Sequence, residues 1–333
     1  MTLGFIVGKF YPPHRGHKHL IDSARRQVDK LIGMHAHHPS QMIPGELRKA
    51  WVKEIHPDCE IHLVPDELDD DSRQWADFTL KHLGRAPDVV FSSEDYGPEF
   101  ARLMGSRHVM VDRDRATVPV SGTKARADVL SHLDMLEPCV RAYFVRRVVL
   151  IGAESTGKTT MAGLLADRFS TNWVAEFGRE HWERKMAGLK IDDLPPSWSH
   201  QEFVEIAQTQ QAHENEAARS ANRVLICDTN AFATGTWHER YYGTRHAEVD
   251  AIGAKDVVDL YLLSAPDAPF VQDGFRDGEF IRDWMHGRFK TQLEAGATTF
   301  VTLLGSYEDR HAEAVRAVEH LHSSPLKSRG FDG

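Results

Sequence analysis

The sequence predicts two α/β domains in tandem, each built on a mostly parallel sheet. Three observations predict this: a length of 333 residues, a strand–glycine turn–helix opening that occurs twice, and strands that alternate with helices in both halves. The first opening is an apolar strand at residues 3–7, a turn at 8–16 and an amphipathic helix at 17–31. The second is a strand at 148–151, a turn at 152–157 and a helix at 158–169. In each, a core strand delivers the chain to a helix N-terminus, where unpaired N–H groups and the helix dipole suit a phosphate. The two turns differ in sequence, so they mark two domains and not an internal repeat. The first domain is placed at residues 1–140 and the second at 146–325.

The remaining elements follow in order. The first half continues with a helix at 44–55, a strand at 60–64, a helix at 72–83 and a strand at 88–92. A helix at 98–104, a strand at 108–111 and helices from 122 to 132 and beyond complete it. The join at 137–146 is short, with Pro138 expected to break a helix, and no low-complexity linker separates the domains. In the second half, 173–176, 224–228, 260–264 and 299–304 read as strands, and 199–222 and 309–322 as helices. Residues 266–287, rich in Asp, Gly, Arg and Pro, read as a mobile loop, and 323–333 as a frayed end.

Composition narrows the function classes. With 41% hydrophobic and 27% charged residues the chain is neither disordered nor fibrous. Its net charge of −9 argues against a protein that coats nucleic acid and leaves room for a small anion held by a few arginines. Cys59, Cys139 and Cys227 are too few and too scattered for a disulfide framework or a zinc knuckle, and fit a reducing compartment. No apolar run approaches the roughly 20 residues of a membrane span, and no basic leader precedes the first strand. The expectation is a soluble cytoplasmic protein with no membrane or nucleic-acid partner, its oligomeric state left open.

The first chemical constellation is Gly8-Lys9-Phe10-Tyr11-Pro12-Pro13-His14-Arg15-Gly16-His17. Gly8, Lys9, Phe10 and Gly16 bring backbone close to a triphosphate, and His14 and His17 can hydrogen-bond its oxygens as charge builds on the α-phosphate. Without that role the two histidines cap a helix. Val120-Ser121-Gly122-Thr123-Lys124-Ala125-Arg126 supplies Ser121, Thr123 and Arg126 for the opposite side of the same ligand. Ser121 and Thr123 also suit a helix cap.

The second constellation, Gly152-Ala153-Glu154-Ser155-Thr156-Gly157-Lys158-Thr159-Thr160, fits the P-loop pattern between a strand and a helix. Backbone N–H groups of Gly152, Glu154, Ser155, Thr156 and Gly157 would cradle ATP phosphates, Lys158 would reach the β- and γ-phosphates, and Thr159 would serve Mg²⁺. Asp228, ending an apolar strand, is the second candidate for the metal. Glu176 is a candidate proton acceptor with Arg179 positioning the substrate, although a surface ion pair explains the two nearly as well. Asp273, Arg276, Arg282 and Arg288 have the composition of a phosphotransferase lid, or of a solvated charged loop.

Together these motifs resemble (T/S/G)-x-x-x-P-x-H-x-G-H and I-S-x-T-x-x-R of the nucleotidylyltransferase superfamily, followed by a P-loop kinase. The pair resembles the bifunctional NAD-salvage proteins of the NadR type over almost the whole chain, most closely at residues 147–159 and 271–276. The resemblance implies a Rossmann-like nucleotidylyltransferase fold and then a P-loop kinase fold. It implies phosphorylation of nicotinamide riboside to its mononucleotide (NMN) and adenylation of NMN to NAD, with ATP as co-substrate, Mg²⁺ as cofactor and pyrophosphate released. It further implies that Trp51, Trp75 and Trp237 are candidates to stack on a cationic nicotinamide ring, each alternatively a core residue. Two departures stand out: the first motif begins so close to Met1 that no repressor helix-turn-helix is expected, and Gly122 stands where many relatives have Ser or Ala. Another acceptor (pantetheine phosphate, a flavin nucleotide, a sugar nucleoside), a non-catalytic nucleotide sensor, or a DNA-binding regulator are the competing readings.

Overall fold

A computed structural model describes residues 1–69, 71–187, 197–271 and 278–326. The chain divides into two compact units, Met1–Phe144 and Val145–Leu326. The first carries β1 (Leu3–Gly8), α1 (Arg15–Arg25), β2 (Lys30–His37), α2 (Gly45–Ile55), β3 (Glu60–Pro65) and α3 (Ser72–Leu83). It continues through β4 (Val89–Ser92), α4 (Gly97–Met104), β5 (Arg107–Met110), α5 (Gly122–Ala127), a 3₁₀ turn Val129–Met135 and α6 (Pro138–Phe144).

Its five strands are parallel in the order β3-β2-β1-β4-β5. Alternate residues of one strand enter opposite cores, as the period of two requires. Leu3, Phe5 and Val90 join Met34, Phe100 and Met104 on one face, while Ile6, Val89 and Phe91 join Ile21, Val52 and Ile61 on the other. Both faces are therefore covered by helices, the condition under which a parallel sheet is stable. Burying each such side chain contributes roughly 1.5–3 kcal/mol before the chain-entropy cost is counted.

The second unit carries β6 (Arg146–Ile151), α7 (Lys158–Phe169), β7 (Trp173–Val174), α8 (Phe177–Met186), α9 (His200–Ala218) and β8 (Val224–Asp228). Then come α10 (Ala231–Tyr242), α11 (Ala247–Gly253), β9 (Leu260–Ser264), a 3₁₀ turn Glu279–Ile281, α12 (Arg282–Ala295), β10 (Phe300–Leu303) and α13 (Tyr307–Ser323). The sheet is again parallel, in the order β10-β9-β6-β8-β7. Val148 and Leu150 of the central strand pack with Leu165, Ile226, Leu262 and Val318 in one core cluster of this unit.

In both units the strand that precedes the glycine turn sits inside the sheet, with strands reached by oppositely directed crossovers on either side. β1 lies between β2 and β4, and β6 between β9 and β8. Such a switch point leaves a crevice at the carboxyl ends of the strands, and each candidate phosphate motif emerges there.

Three expectations are corrected. The first helix stops at Arg25, and residues 30–37 form β2 instead of extending it. Pro138 does not break a helix: it opens α6, where its missing N–H costs nothing. The described part of the predicted loop at 266–287 holds the 3₁₀ turn and the start of α12, because Met285, Phe289 and Leu293 form a buried seam at a spacing of four.

Candidate active sites

In the first unit the turn after β1 builds its own cap. Nδ1 of His14 accepts the Gly16 N–H at 3.1 Å, and Nδ1 of His17 accepts the His14 N–H at 3.2 Å. The two rings stack with centroids 3.7 Å apart. A Cβ on Gly16 would meet the His14 ring at 3.0 Å, so glycine lets the ring fold back over the helix end. An imidazole whose Nδ1 accepts must, when neutral, carry its proton on Nε2.

Both histidines are held neutral. Burial, helped by Arg115 and Arg126, pulls His14 down to about 4. Burial, then His14, His35 and Arg115, holds His17 well below the ordinary histidine value. The cap and the chemistry are thus one arrangement, since capping with Nδ1 leaves two uncharged Nε2–H donors at a helix N-terminus. His17 is half-buried against Phe10, whose ring centroid lies 4.9 Å away.

Both histidines line a cavity of about 550 Å³ together with Gly8, Lys9, Phe10, Gly16 and Gly122. Phe10 is 2% exposed and acts as a wall, and Lys9 is paired with Asp66 at 2.7 Å. α5 approaches the histidine turn through Arg126, which donates to the Tyr11 carbonyl at 2.7 Å and to the Thr123 hydroxyl at 3.2 Å. The Ser121 hydroxyl accepts the Lys124 N–H at 3.2 Å and caps α5. The structure adds Arg115, which lines the cavity and bonds the Val120 carbonyl and Glu94 at 2.6 Å each. Nothing in the Asp-Arg-Asp-Arg run at 112–115 distinguishes it from Arg113, which pairs with Asp95. The three tryptophans separate: Trp51 is 6% exposed against Tyr143, Trp75 lines the cavity, and Trp237 packs beside the α9–α11 core under Arg240.

In the second unit the P-loop runs from β6 into α7 with Gly152, Ser155 and Gly157 at positive φ. Lys158 is 8% exposed, and its ammonium donates to the Ala153 carbonyl at 2.9 Å, an acceptor that a phosphate would replace. The Thr156 hydroxyl donates to the same carbonyl at 2.9 Å. At the end of β8 Asp228 is 1% exposed, and its Oδ2 accepts the Thr159 hydroxyl at 2.5 Å. Its other oxygen, Oδ1, is buried without a hydrogen-bond partner among the described residues. An orphaned carboxylate oxygen beside a hydroxyl is a hard, anionic donor set, which fits Mg²⁺. Burial raises the Asp228 carboxyl above its usual range, against the pull of Lys158.

Glu176 caps α8 without a side-chain bond to its N–H groups. Burial raises its carboxyl well above the usual range, opposed by Lys158 and reinforced by Asp228 and Glu154. The structure thereby brings Glu176, Lys158 and Asp228 into one electrostatic group. The Arg179 charge also pulls on both carboxyls, and its guanidinium donates along its own helix to Glu183 at 2.9 Å. Glu154 is paired with Arg240 at 3.0 Å and accepts the Gly278 N–H at 2.8 Å. Thr160 is exposed on α7. Of the arginines assigned to a lid, Arg282 is buried and donates to the Ala268 carbonyl at 2.8 Å, and Arg288 pairs with Glu239 at 2.8 Å. They are helix residues with protein partners, which corrects their placement on a free loop. Asp273 and Arg276 lie outside the described residues.

Comparison with known proteins follows the same division. The Cytidylyltransferase-like family matches residues 5–128, and the AAA domain family matches residues 147–310. The trifunctional NAD biosynthesis/regulator protein NadR of Escherichia coli (strain K12) is 28% identical, over 96% of this chain and 82% of that protein. The chain is a NadR homologue. The NadR protein of Salmonella typhimurium is 27% identical over 83% of this chain and 72% of its own length. Crystal structures of NadR proteins share the homologue's fold: one in complex with NR at a TM-score of 0.75 and 20% identity, another with NAD and AMP-PNP at 0.71 and 19%. Each covers 99% of this chain and 98% of the solved one. Among the described residues no helix is long and apolar enough to cross a membrane.

Proposed function

We propose that the chain is a two-site NAD-salvage enzyme, a ribosylnicotinamide kinase and a nicotinamide-nucleotide adenylyltransferase. The observation that carries this reading is that one chain carries two candidate phosphate motifs, each at the switch point of its own sheet. The resemblance to proteins named for NAD biosynthesis, and to structures solved with NR, NAD and AMP-PNP, supports the choice of acceptors.

In the P-loop unit, the 5′-hydroxyl oxygen of nicotinamide riboside attacks the γ-phosphorus of ATP. The bond to the β-phosphate oxygen breaks, ADP leaves, and the hydroxyl proton passes to the Glu176 carboxylate. Lys158 exchanges the Ala153 carbonyl for phosphate oxygens, and the loop N–H groups hold the remainder. Thr159 and Asp228 would hold Mg²⁺, which when bound neutralises charge shared by the β- and γ-phosphates.

In the first unit, a phosphate oxygen of NMN attacks the α-phosphorus of a second ATP. The α–β bridging bond breaks, pyrophosphate leaves, and NAD forms. His14 and His17 offer uncharged Nε2–H donors to the oxygens on which charge grows, with the α1 dipole behind them. Arg126 and Arg115 supply the full positive charges.

Incubation with ATP, Mg²⁺ and nicotinamide riboside, resolved by chromatography, tests the reading. The expected result is NMN appearing first and NAD after it. ATP consumed with another nucleoside or with pantetheine phosphate, and not with nicotinamide riboside, would replace the acceptor. No turnover with any acceptor would leave a nucleotide-binding protein.

A further inference from the structure

Arg310 lies in the first turn of α13 and is 3% exposed, so its charge has been withdrawn from water and must be satisfied within the protein. Its Nε donates to the Gly305 carbonyl at 3.0 Å, and NH1 donates to the carbonyls of Ala265 at 3.2 Å and Thr156 at 3.3 Å. NH2 pairs with the Asp267 carboxylate, which also accepts the Gly305 N–H at 2.8 Å. These partners belong to three segments: the P-loop, the chain leaving β9 and the chain leaving β10. One planar fork thus ties the phosphate loop to the carboxyl ends of two neighbouring strands.

The Thr156 contact bears on ligand binding. A trans peptide points its C=O and its N–H to opposite sides. A Thr156 carbonyl held toward Arg310 turns the Gly157 N–H the other way, and Gly157 is a left-handed residue at φ +84° that fixes this peptide plane against α7. A carbonyl free to rotate would present a negative oxygen where a phosphate needs a donor. The Lys158 bond to Ala153 stays inside the loop, so it does not set the loop's position relative to the sheet.

We infer that Arg310 is a positioning residue for ATP at the P-loop: it holds the Thr156–Gly157 peptide with its N–H toward the phosphates and never touches the nucleotide. The inference rests on the P-loop being the kinase ATP site.

The test is made on the full chain with Arg310→Lys, whose single ammonium cannot fork to four partners. The KM for ATP in riboside phosphorylation is expected to rise about 10-fold, with kcat and the KM for nicotinamide riboside within about 2-fold of the parent. Titration with AMP-PNP reads the same site without an acceptor: the binding step that Lys158→Ala abolishes should weaken by the same factor. Asp267→Asn, which keeps the shape and one acceptor oxygen, should weaken that step less and in the same direction. A folded Arg310→Lys protein with a lower melting temperature and unchanged ATP affinity would overturn the inference and leave Arg310 as a strut. If Arg310→Lys does not fold, unchanged affinity in Asp267→Asn overturns it equally. Failure of the kinase assignment looks different, because no riboside would then be phosphorylated while AMP-PNP binding still responded to Arg310.

Discussion

At the scale of single residues, the histidine turn shows how a structural bond sets a chemical state. Because Nδ1 of His14 and of His17 each accept a backbone N–H, removing one ring removes both a cap and a donor. His17→Ala should therefore lower adenylyltransferase turnover by on the order of 10²-fold, the usual scale for one lost electrostatic donor. It should also cost about 1 kcal/mol of stability as the reciprocal cap is lost. Kinase rates should be unchanged, and unaltered NAD formation from added NMN would reduce the motif to a helix cap. The same burial makes a prediction about acid. His14, at about 4, His35, at about 3, and His17 all lie below the unfolded value near 6.5. Between those limits the unfolded chain binds protons that the folded one refuses, so stability is whole above pH 6.5 and drains as pH falls toward 4. Each such histidine contributes a slope of at most about 1.4 kcal/mol per pH unit. His35 is fully buried, edge-on to the Phe10 ring and beside the Arg48 guanidinium, which adds to the effect of burial. His35→Leu should flatten the fall in urea-unfolding free energy between pH 6.5 and 5, and an identical slope would show that His35 titrates freely.

At the scale of elements, what was legible in the sequence was whatever local chemistry dictates. β6, the P-loop and α7 follow from an apolar run, glycines with unusual dihedrals and a helix start, and β8 from an apolar run that stops at the charged Asp228. β2 was not legible: Lys-Leu-Ile-Gly-Met-His-Ala-His continues the apolar content of α1, and only pairing with β1 and β3 makes it a strand. α12 was hidden likewise, since its seam of Met285, Phe289 and Leu293 is diluted by charge. Arg115 and Arg310 were illegible for another reason, because their partners are brought near by the fold and not by the chain. The strand-to-loop joints are also where single substitutions should act most sharply. Gly152 has φ +146°, and a Cβ there would lie 2.7 Å from the Ser264 carbonyl oxygen at the end of β9, an atom that cannot step aside. Gly152→Ala should destabilise the second unit by roughly 2–3 kcal/mol and abolish AMP-PNP binding at the P-loop, measurable by thermal unfolding and titration. A variant of parental stability and affinity would mean that the β6–β9 junction yields.

At the scale of the whole molecule, each unit owns its own five-stranded sheet and a candidate phosphate site at that sheet's switch point. Lys158 is the side chain on which this independence can be tested. Its ammonium is buried, bonded to the Ala153 carbonyl, and faces the group formed by Asp228 and Glu176. Lys158→Ala removes the cation that draws the γ-phosphate forward and takes from those two carboxyls the strongest opposing charge on them. Kinase turnover should fall by 10³-fold or more, roughly the scale of a lost phosphate-directed cation. The Glu176 and Asp228 carboxyls should both become harder to ionise, because the opposing pull on them is gone. None of this reaches β1, α1 or α5. NAD formation from supplied NMN and ATP should stay within about 2-fold of the parent, while NAD formation from nicotinamide riboside should vanish and return when NMN is added. Loss of both activities in a protein whose two units remain folded would contradict two independent sites and require one nucleotide pocket to serve both reactions.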